Sequence, residues 1–277
     1  MPTIKQVIDN HSNNTFSTAL VRGLSIQLIA EMNLSIPNVL VNFEDLNIKA
    51  NSLAVNLFLQ PAAKEALRRA IKRRSSVLTM TSAYRTVAQQ YLLRTWFEKG
   101  LSDITAAAKP GLSNHEDGLA LDIPDFEAWR SALENEGWSW LGENDKVHFT
   151  FIGEGVRDDI GDIGVQAFQR LWNKNNPSDH ILVDGIFGTE TAKRIDKSPA
   201  DGFNPTRLLR LISPLMQGDD VLKIQQALVK AGFFGANSLN GVYDIATASA
   251  IAKFQEKNGL SVDSIVGMQT RRKLGIL

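Results

Sequence analysis

The segment Ser113–Asp122, SNHEDGLALD, places one histidine, three carboxylates and a glycine in ten residues, directly after the turn-forming pair Pro110-Gly111. Imidazole and carboxylate are the side chains with which a chain lacking cysteine can hold zinc, and these 277 residues contain no cysteine. The helical metalloprotease pattern H-E-x-x-H is not met, because Leu119 stands where its second histidine would be. His115 pairs better with Asp122, which lies in the strand-like run LALDI, where an ionised carboxylate is costly without a partner. Of the remaining histidines, His11, His148 and His180, only His148 lies in a comparable run, KVHFTF. A lone histidine in such a run is more often a hydrogen-bonded core residue than a ligand, so residue types alone leave both readings open. Arg85 closes SVLTMTSAYR. Its permanent charge and planar donors suit an oxyanion or a carboxylate, or else a surface ion pair worth ~0–1 kcal/mol.

The elements around these residues alternate. NVLVNF and LAVNLFL read as short extended segments, and residues 1–45 form an N-terminal extension without assigned structure. PAAKEALRRAIKRR reads as a helix with Pro61 at its first position and Ala63, Leu67, Ala70 and Ile71 as its stripe. Its basic run, Arg68–Arg74, is expected to be a solvated face. SVLTMTSAYR reads as a strand ending at Arg85, AQQYLLRTWFEKG as a helix stopped by Gly100, LALDI and VHFTF as strands, and PDFEAWRSALENEG as a helix between them. Short strands alternating with helices predict an α+β domain over residues 1–153.

The rest of the chain repeats itself. VDGIFGTETAKRI (183–195), LNGVYDIATASAI (239–251) and VDSIVGMQTRRKL (262–274) share one pattern: an apolar residue, Asp or Asn, a small residue, two apolar residues, a turn, a threonine and a closing aliphatic. Each copy reads as a turn followed by a short helix, and the expected domains are all-α, at 160–200 and 214–277. Packing alone would also explain such helix pairs.

SAYRT, SNHEDGLALD and GWSWLGENDKVHF occur in that order. They resemble the three signatures of the zinc D-alanyl-D-alanine carboxypeptidases, a family that includes the L-alanyl-D-glutamate endopeptidases of phage lysins. The family pattern S-x-H-x-x-G-x-A-x-D is met by Ser113, His115, Gly118, Ala120 and Asp122, and its final acid and histidine by Asp145 and His148. The resemblance covers roughly residues 60–151 and implies one zinc on His115, Asp122 and His148. Three protein ligands leave the fourth position of a catalytic zinc open for water. Zinc lowers the pKa of that water to ~7. The resemblance makes Asp145 the catalytic base and Arg85 the group that steadies the substrate's charge, with Ser113, Tyr84 and Trp138 as expected substrate contacts. Trp138 and Trp140 either wall the cleft or belong to the core, and Ser113 either holds substrate or caps its turn. The repeats resemble a second family, the helical peptidoglycan-binding modules. Its pattern D-G-x-[FY]-G-x-x-T is met by Asp184, Gly185, Phe187, Gly188 and Thr191; Tyr243 and Thr247 match in the second copy, which has Asn240 and Asp244 at two other places.

Both resemblances imply peptidoglycan as the partner. The function taken forward is a zinc D-alanyl-D-alanine carboxypeptidase held at the wall by its repeats. The alternatives are an L-alanyl-D-glutamate endopeptidase, favoured by aspartate rather than glutamate at 145, and a non-catalytic wall-binding protein. Lys+Arg and Asp+Glu balance at 30 each, which argues against a binder that neutralises many phosphates. No stretch approaches the ~20 apolar residues of a membrane span. The first thirty residues lack a secretory leader pattern, so some other delivery route is expected. A monomer is expected.

Overall fold

A computed structural model describes residues 2–10, 16–101, 104, 106–203 and 208–276. His11, read above as one of four candidate histidines, lies outside the described residues. Two compact units divide the chain, Met1–Phe203 and Asn204–Leu277.

The first unit runs α1 (Ile4–Asp9), α2 (Arg22–Ser35), β1 (Val41–Asn42), β2 (Ile48–Ala50), β3 (Phe58–Leu59), α3 (Pro61–Arg74), β4 (Leu78–Met80), α4 (Val87–Glu98), β5 (Ala120–Asp122), α5 (Phe126–Glu134), β6 (Trp138–Trp140), β7 (His148–Phe151), α6 (Ile160–Asn175) and α7 (Thr189–Lys197). Pro61 opens α3, and the stripe Ala63, Ala66, Leu67, Ala70 and Ile71 is buried. The basic residues of α3 face outward onto acids: Lys64 and Arg68 meet Asp45, at 2.7 and 3.0 Å, and Arg69 and Arg73 converge on Glu136. Short strands pair as β1–β3 (antiparallel), β2–β4 (parallel) and an antiparallel sheet ordered β5-β7-β6. The strand expected to reach Arg85 ends at Met80. Beyond it, single bridges continue at Ser82, opposite Asp122, and at Tyr84, opposite Asn56.

Register in the three-stranded sheet decides which side chains meet. Asp122 stands opposite His148, and Trp140 and Trp138 stand opposite Phe149 and Phe151. Side chains alternate across a sheet. Asp122, His148 and Thr150 therefore share one face, while Trp138, Trp140, Phe149 and Phe151 share the other, which packs on α3 and α5 in the first hydrophobic core. Trp138 is buried there. Its expected place in the substrate cleft is corrected by this alternation.

A second core joins α1, α2, α4, α6 and α7. Ile4, Leu24, Leu28, Val87, Leu92 and Trp96 pack with Val165, Phe168, Trp172 and Ile195. Within the N-terminal extension, α1 and α2 thus belong to the first unit and share its second core. The expected boundary between 153 and 160 does not separate compact bodies either: the helix pair at 160–200 shares its apolar faces with α1, α2 and α4 and has no core of its own.

The second unit holds α8 (Asp219–Lys230), α9 (Ile245–Lys257) and α10 (Met268–Lys273) around Val221, Ile224, Leu228, Tyr243, Ile251, Phe254 and Val266. Both units use one turn device. In the first, the Gln169 amide donates to Asp184 Oδ1 (2.8 Å), the Ile186 carbonyl and Thr191 Oγ1, and its oxygen accepts from the N–H groups of Asp184 and Gly185. Gln225 makes the same bonds to Asn240, Val242, Thr247 and Gly241. Gln255 makes them to Asp263, Ile265, Thr270 and Ser264. Gly185, Thr191, Tyr243 and Thr247, read as wall contacts, are buried parts of this device or of the core beneath it. Asp184 is exposed but its carboxylate is held by the turn, and Phe187 packs against the Tyr91 ring. Gly185 and Gly241 take positive φ, whereas Gly188 has φ −109° and is ordinary extended backbone at the start of α7.

Candidate metal centre

The loop 113–118 carries His115 to the sheet. The Ser113 carbonyl accepts from the N–H groups of Glu116 and Asp117, and the Ser113 hydroxyl accepts from the N–H of His115 at 3.3 Å. Ser113 therefore builds the turn. Gly118 reverses the chain into β5 with φ +66°. A Cβ there would lie 2.6 Å from Leu40 and 3.3 Å from the backbone nitrogen of Gln60. Gln60 clamps the loop from outside, donating to the carbonyls of Asp117 (2.8 Å) and Arg157 (2.9 Å) and accepting from the Arg157 N–H. The first turn of α6 closes on the loop too. Gly161 N–H donates to Asp117 Oδ1 at 3.2 Å, and a Cβ on Gly161 would lie 2.5 Å from the Gly111 carbonyl oxygen.

His115, Asp122 and His148 are all buried, and one ligand atom from each lies within 4.8 Å of the others. His115 Nδ1 sits 2.7 Å from the Ala83 carbonyl oxygen, which can only accept, so the ring hydrogen is on Nδ1. His115 Nε2 then presents a lone pair to Asp122 Oδ1 at 3.3 Å. A cation placed between those two atoms would be held by both. Burial, and then the charge of Arg85, push the His115 pKa down. Burial raises the Asp122 pKa, but its electrostatic contacts with His115, His148 and Arg85 outweigh burial and hold it well below the usual carboxylate range. Two imidazoles and one ionised carboxylate are a donor set that fits a divalent transition metal.

The other expected residues fall differently. Arg85 donates to Asp122 Oδ2 at 2.8 Å and to Ser82 Oγ at 3.0 Å, so its guanidinium is tied to a ligand of the candidate metal. Asp145 is exposed in the turn before β7, where its backbone carbonyl accepts from His148 N–H at 3.1 Å; its charge acts on Arg85. Tyr84 is corrected as a substrate contact. It is buried between α2 and α6 with its hydroxyl 3.0 Å from Met32 Sδ. A buried acid and a half-buried one flank the triad: burial raises Glu116 to about 8 and Asp117 to about 6. Three supporting groups escaped the sequence reading: Ser82, the Ala83 carbonyl and Thr150. Ser82 had a signal, a hydroxyl three residues before the arginine of the same motif. A carbonyl has none.

The comparisons with known proteins meet this geometry. Residues 58–166 match the family model described as D-alanyl-D-alanine carboxypeptidase, and residues 217–274 match the model of a putative peptidoglycan binding domain. The first match runs into α6, across the boundary expected at 153. The chain is 36% identical over 130 residues to the N-acetylmuramoyl-L-alanine amidase CwlL of Bacillus licheniformis, covering 41% of this chain and 35% of that protein. It is 32% identical over 138 residues to a probable N-acetylmuramoyl-L-alanine amidase of the same species, covering 46% and 38%. It is 30% identical over 166 residues to the N-acetylmuramoyl-L-alanine amidase CwlM of Mycobacterium tuberculosis, covering 58% and 39%. The chain thus spans less than two fifths of the length of these relatives. No solved structure matches.

Proposed function

We propose that this chain, with a D-alanyl-D-alanine carboxypeptidase-family domain and a peptidoglycan-binding-family domain, is a zinc peptidase that hydrolyses the peptidoglycan stem peptide as a D,D-carboxypeptidase. The observation that carries the reading is the buried triad of His115, Asp122 and His148, with the lone pair of His115 Nε2 turned onto Asp122. Zinc on those three groups supplies a Lewis acid that activates water near neutral pH. Asp145, exposed three residues before His148 and near enough for its charge to act on Arg85, is the group assigned to take the proton from the attacking water and deliver it to the leaving amine. Arg85 keeps Asp122 ionised and oriented, and the donors it does not spend on Asp122 and Ser82 are suited to the charge that develops on the scissile carbonyl.

The pairing of Arg85 with Asp122 favours a second reading. A carboxypeptidase must recognise a free terminal carboxylate, and the cation expected to clamp it is already engaged. An L-alanyl-D-glutamate endopeptidase needs no such clamp, and Asp145 resembles the base of that branch.

The second unit supplies wall affinity in this account. It carries a groove of about 620 Å³ lined by Leu211, Ile212, Leu215, Asp244 and Ile245. A tether raises the effective substrate concentration at the catalytic unit. No helix among the described residues is long and apolar enough to cross a membrane.

Digestion of purified peptidoglycan, with the fragments identified by mass, tests the assignment. Released D-alanine marks the carboxypeptidase, and a new D-glutamate amino terminus marks the endopeptidase. A new L-alanine amino terminus would place the activity with the amidases named among the relatives and overturn both readings.

A further inference from the structure

His148 offers two ring nitrogens with different neighbours. Nδ1 lies 3.1 Å from Asp122 Oδ1, on the side shared with His115 Nε2, and Nε2 lies 2.9 Å from Thr150 Oγ1. Thr150 is two residues further along β7, on the same face of the sheet, with Ala120 opposite it on β5. The hydroxyl has a second partner: Asn114 Nδ2, next to His115 in the loop, donates to it at 3.1 Å. A hydroxyl oxygen has two lone pairs. One is taken by Asn114, and the other is available to a hydrogen on His148 Nε2.

We propose that Thr150, steadied by Asn114, is a positioning residue that fixes His148 in the Nε2–H form, so that its Nδ1 lone pair joins His115 Nε2 and Asp122 Oδ1 in one metal site. The inference rests on the zinc reading above. It gives the two histidines matched devices: the Ala83 carbonyl holds the Nδ1 hydrogen of His115, and the Thr150 hydroxyl holds the Nε2 hydrogen of His148. It also ties both histidines to one link, since Asn114 rides on the His115 loop and bonds to the side chain that holds His148. Without the hydroxyl, the ring is free to turn and present either nitrogen, and an acceptor is lost that raises the basicity of the ligating nitrogen.

The test compares full-length wild type with Thr150→Val, which keeps the shape and removes the oxygen, and with Thr150→Ser, which restores it. Zinc affinity is measured by competition with a chromophoric chelator, and the protonation of the His148 ring nitrogens in zinc-loaded protein by long-range ¹⁵N–¹H NMR. The expected result is a 10–100-fold loss of zinc affinity in Thr150→Val, near wild-type affinity in Thr150→Ser, a smaller loss in Asn114→Ala, and a wild-type spectrum with the hydrogen on Nε2. If wild type binds zinc and Thr150→Val binds it equally well, or if the hydrogen is on Nδ1, the inference fails and the zinc reading stands. If wild type takes up no zinc, both fail. Loss in Thr150→Val from misfolding would show as loss of the native far-UV spectrum. The exposed Asn114→Ala, which leaves the β7 strand intact, then carries the test: a weaker zinc site supports the inference and an unchanged one overturns it.

Discussion

The helix pair α6–α7 and the helices α8–α10 share a turn device bond for bond, yet they belong to different bodies. In each copy a buried glutamine satisfies the same five backbone and side-chain groups. Burial sets them apart. Ten of the sixteen residues of α6 are buried, Gly161 and Gly164 among them, whereas α8 buries five of twelve along a single stripe. The two glycines of α6 let neighbours approach: the Gly111 carbonyl comes against Gly161, and the Tyr84 hydroxyl lies 3.6 Å from where a Cβ of Gly164 would be. A repeat in the sequence therefore reports a shared local turn and leaves the independence of the unit undetermined. The surface outside the repeat pattern decides that. Here it packs the first copy into the first unit, where α6 closes on the loop that carries His115, and leaves the later copies in the second unit.

Truncation breaks this comparison most severely. Ending the chain at residue 203 should leave a folded, zinc-binding unit that cleaves a small soluble peptide normally and loses affinity for insoluble sacculi. Ending it at residue 155 should abolish folding, because Leu24, Leu28, Val87, Leu92 and Trp96 lose their partners. Thermal melting and sacculus pull-down read both. A folded, active 1–155 fragment would return α6 to the wall-binding repeats.

The base comes next in size. General acid–base groups contribute ~10²–10⁴-fold. Asp145→Asn should lower turnover by that factor with zinc content and sacculus binding unchanged. Normal turnover would place the base elsewhere.

The glutamines sharpen the comparison further. Replacing Gln169 or Gln225 by alanine strands several buried groups, each worth ~1–3 kcal/mol when unsatisfied. Gln169→Ala should lower both the melting temperature of the first unit and its zinc affinity. Gln225→Ala should lower only the melting temperature of the second unit. Equal effects of both on zinc affinity would deny the two units their separate roles.

The smallest effects fall at the turn glycines. Gly185→Ala should cost about 1–2 kcal/mol, since φ is +78° and a Cβ would press on Asp162 and Gln166. Gly188→Ala should be nearly silent, since φ there is ordinary and nothing lies within 4 Å of a Cβ. Ser264, at φ 56° in the third copy, shows that the device accepts a side chain at some cost, and Ser264→Gly should be neutral or slightly stabilising. Urea unfolding of each variant measures these differences.

Much of this was legible in the residues. His115, Gly118 and Asp122 stand in one motif whose spacing reports a turn and a strand, and Pro61 and the α3 stripe marked their helix. What escaped belongs to tertiary packing. Leu24, Leu28, Ile29 and Met32 form a helical stripe on α2, but no side chain caps α2 itself; the capping hydroxyl, Ser17, stands one turn earlier, before a 3-10 turn over Thr18–Val21. Trp138 and Tyr84 have the chemistry of cleft residues, and only strand register and the approach of α6 send them inward. The glutamine of the turn device precedes its turn by fifteen residues in two copies and eight in the third, so no fixed spacing revealed it. The repeated dipeptides Phe168-Gln169, Ile224-Gln225 and Phe254-Gln255 were the available signal.

Metal analysis of purified wild-type protein and His115→Ala, paired with hydrolysis of stem peptide before and after chelation, tests the central claim most directly. The account predicts one zinc per wild-type chain, none bound tightly by His115→Ala, and activity that disappears with chelator and returns with added zinc. Full activity in protein freed of metal would contradict it.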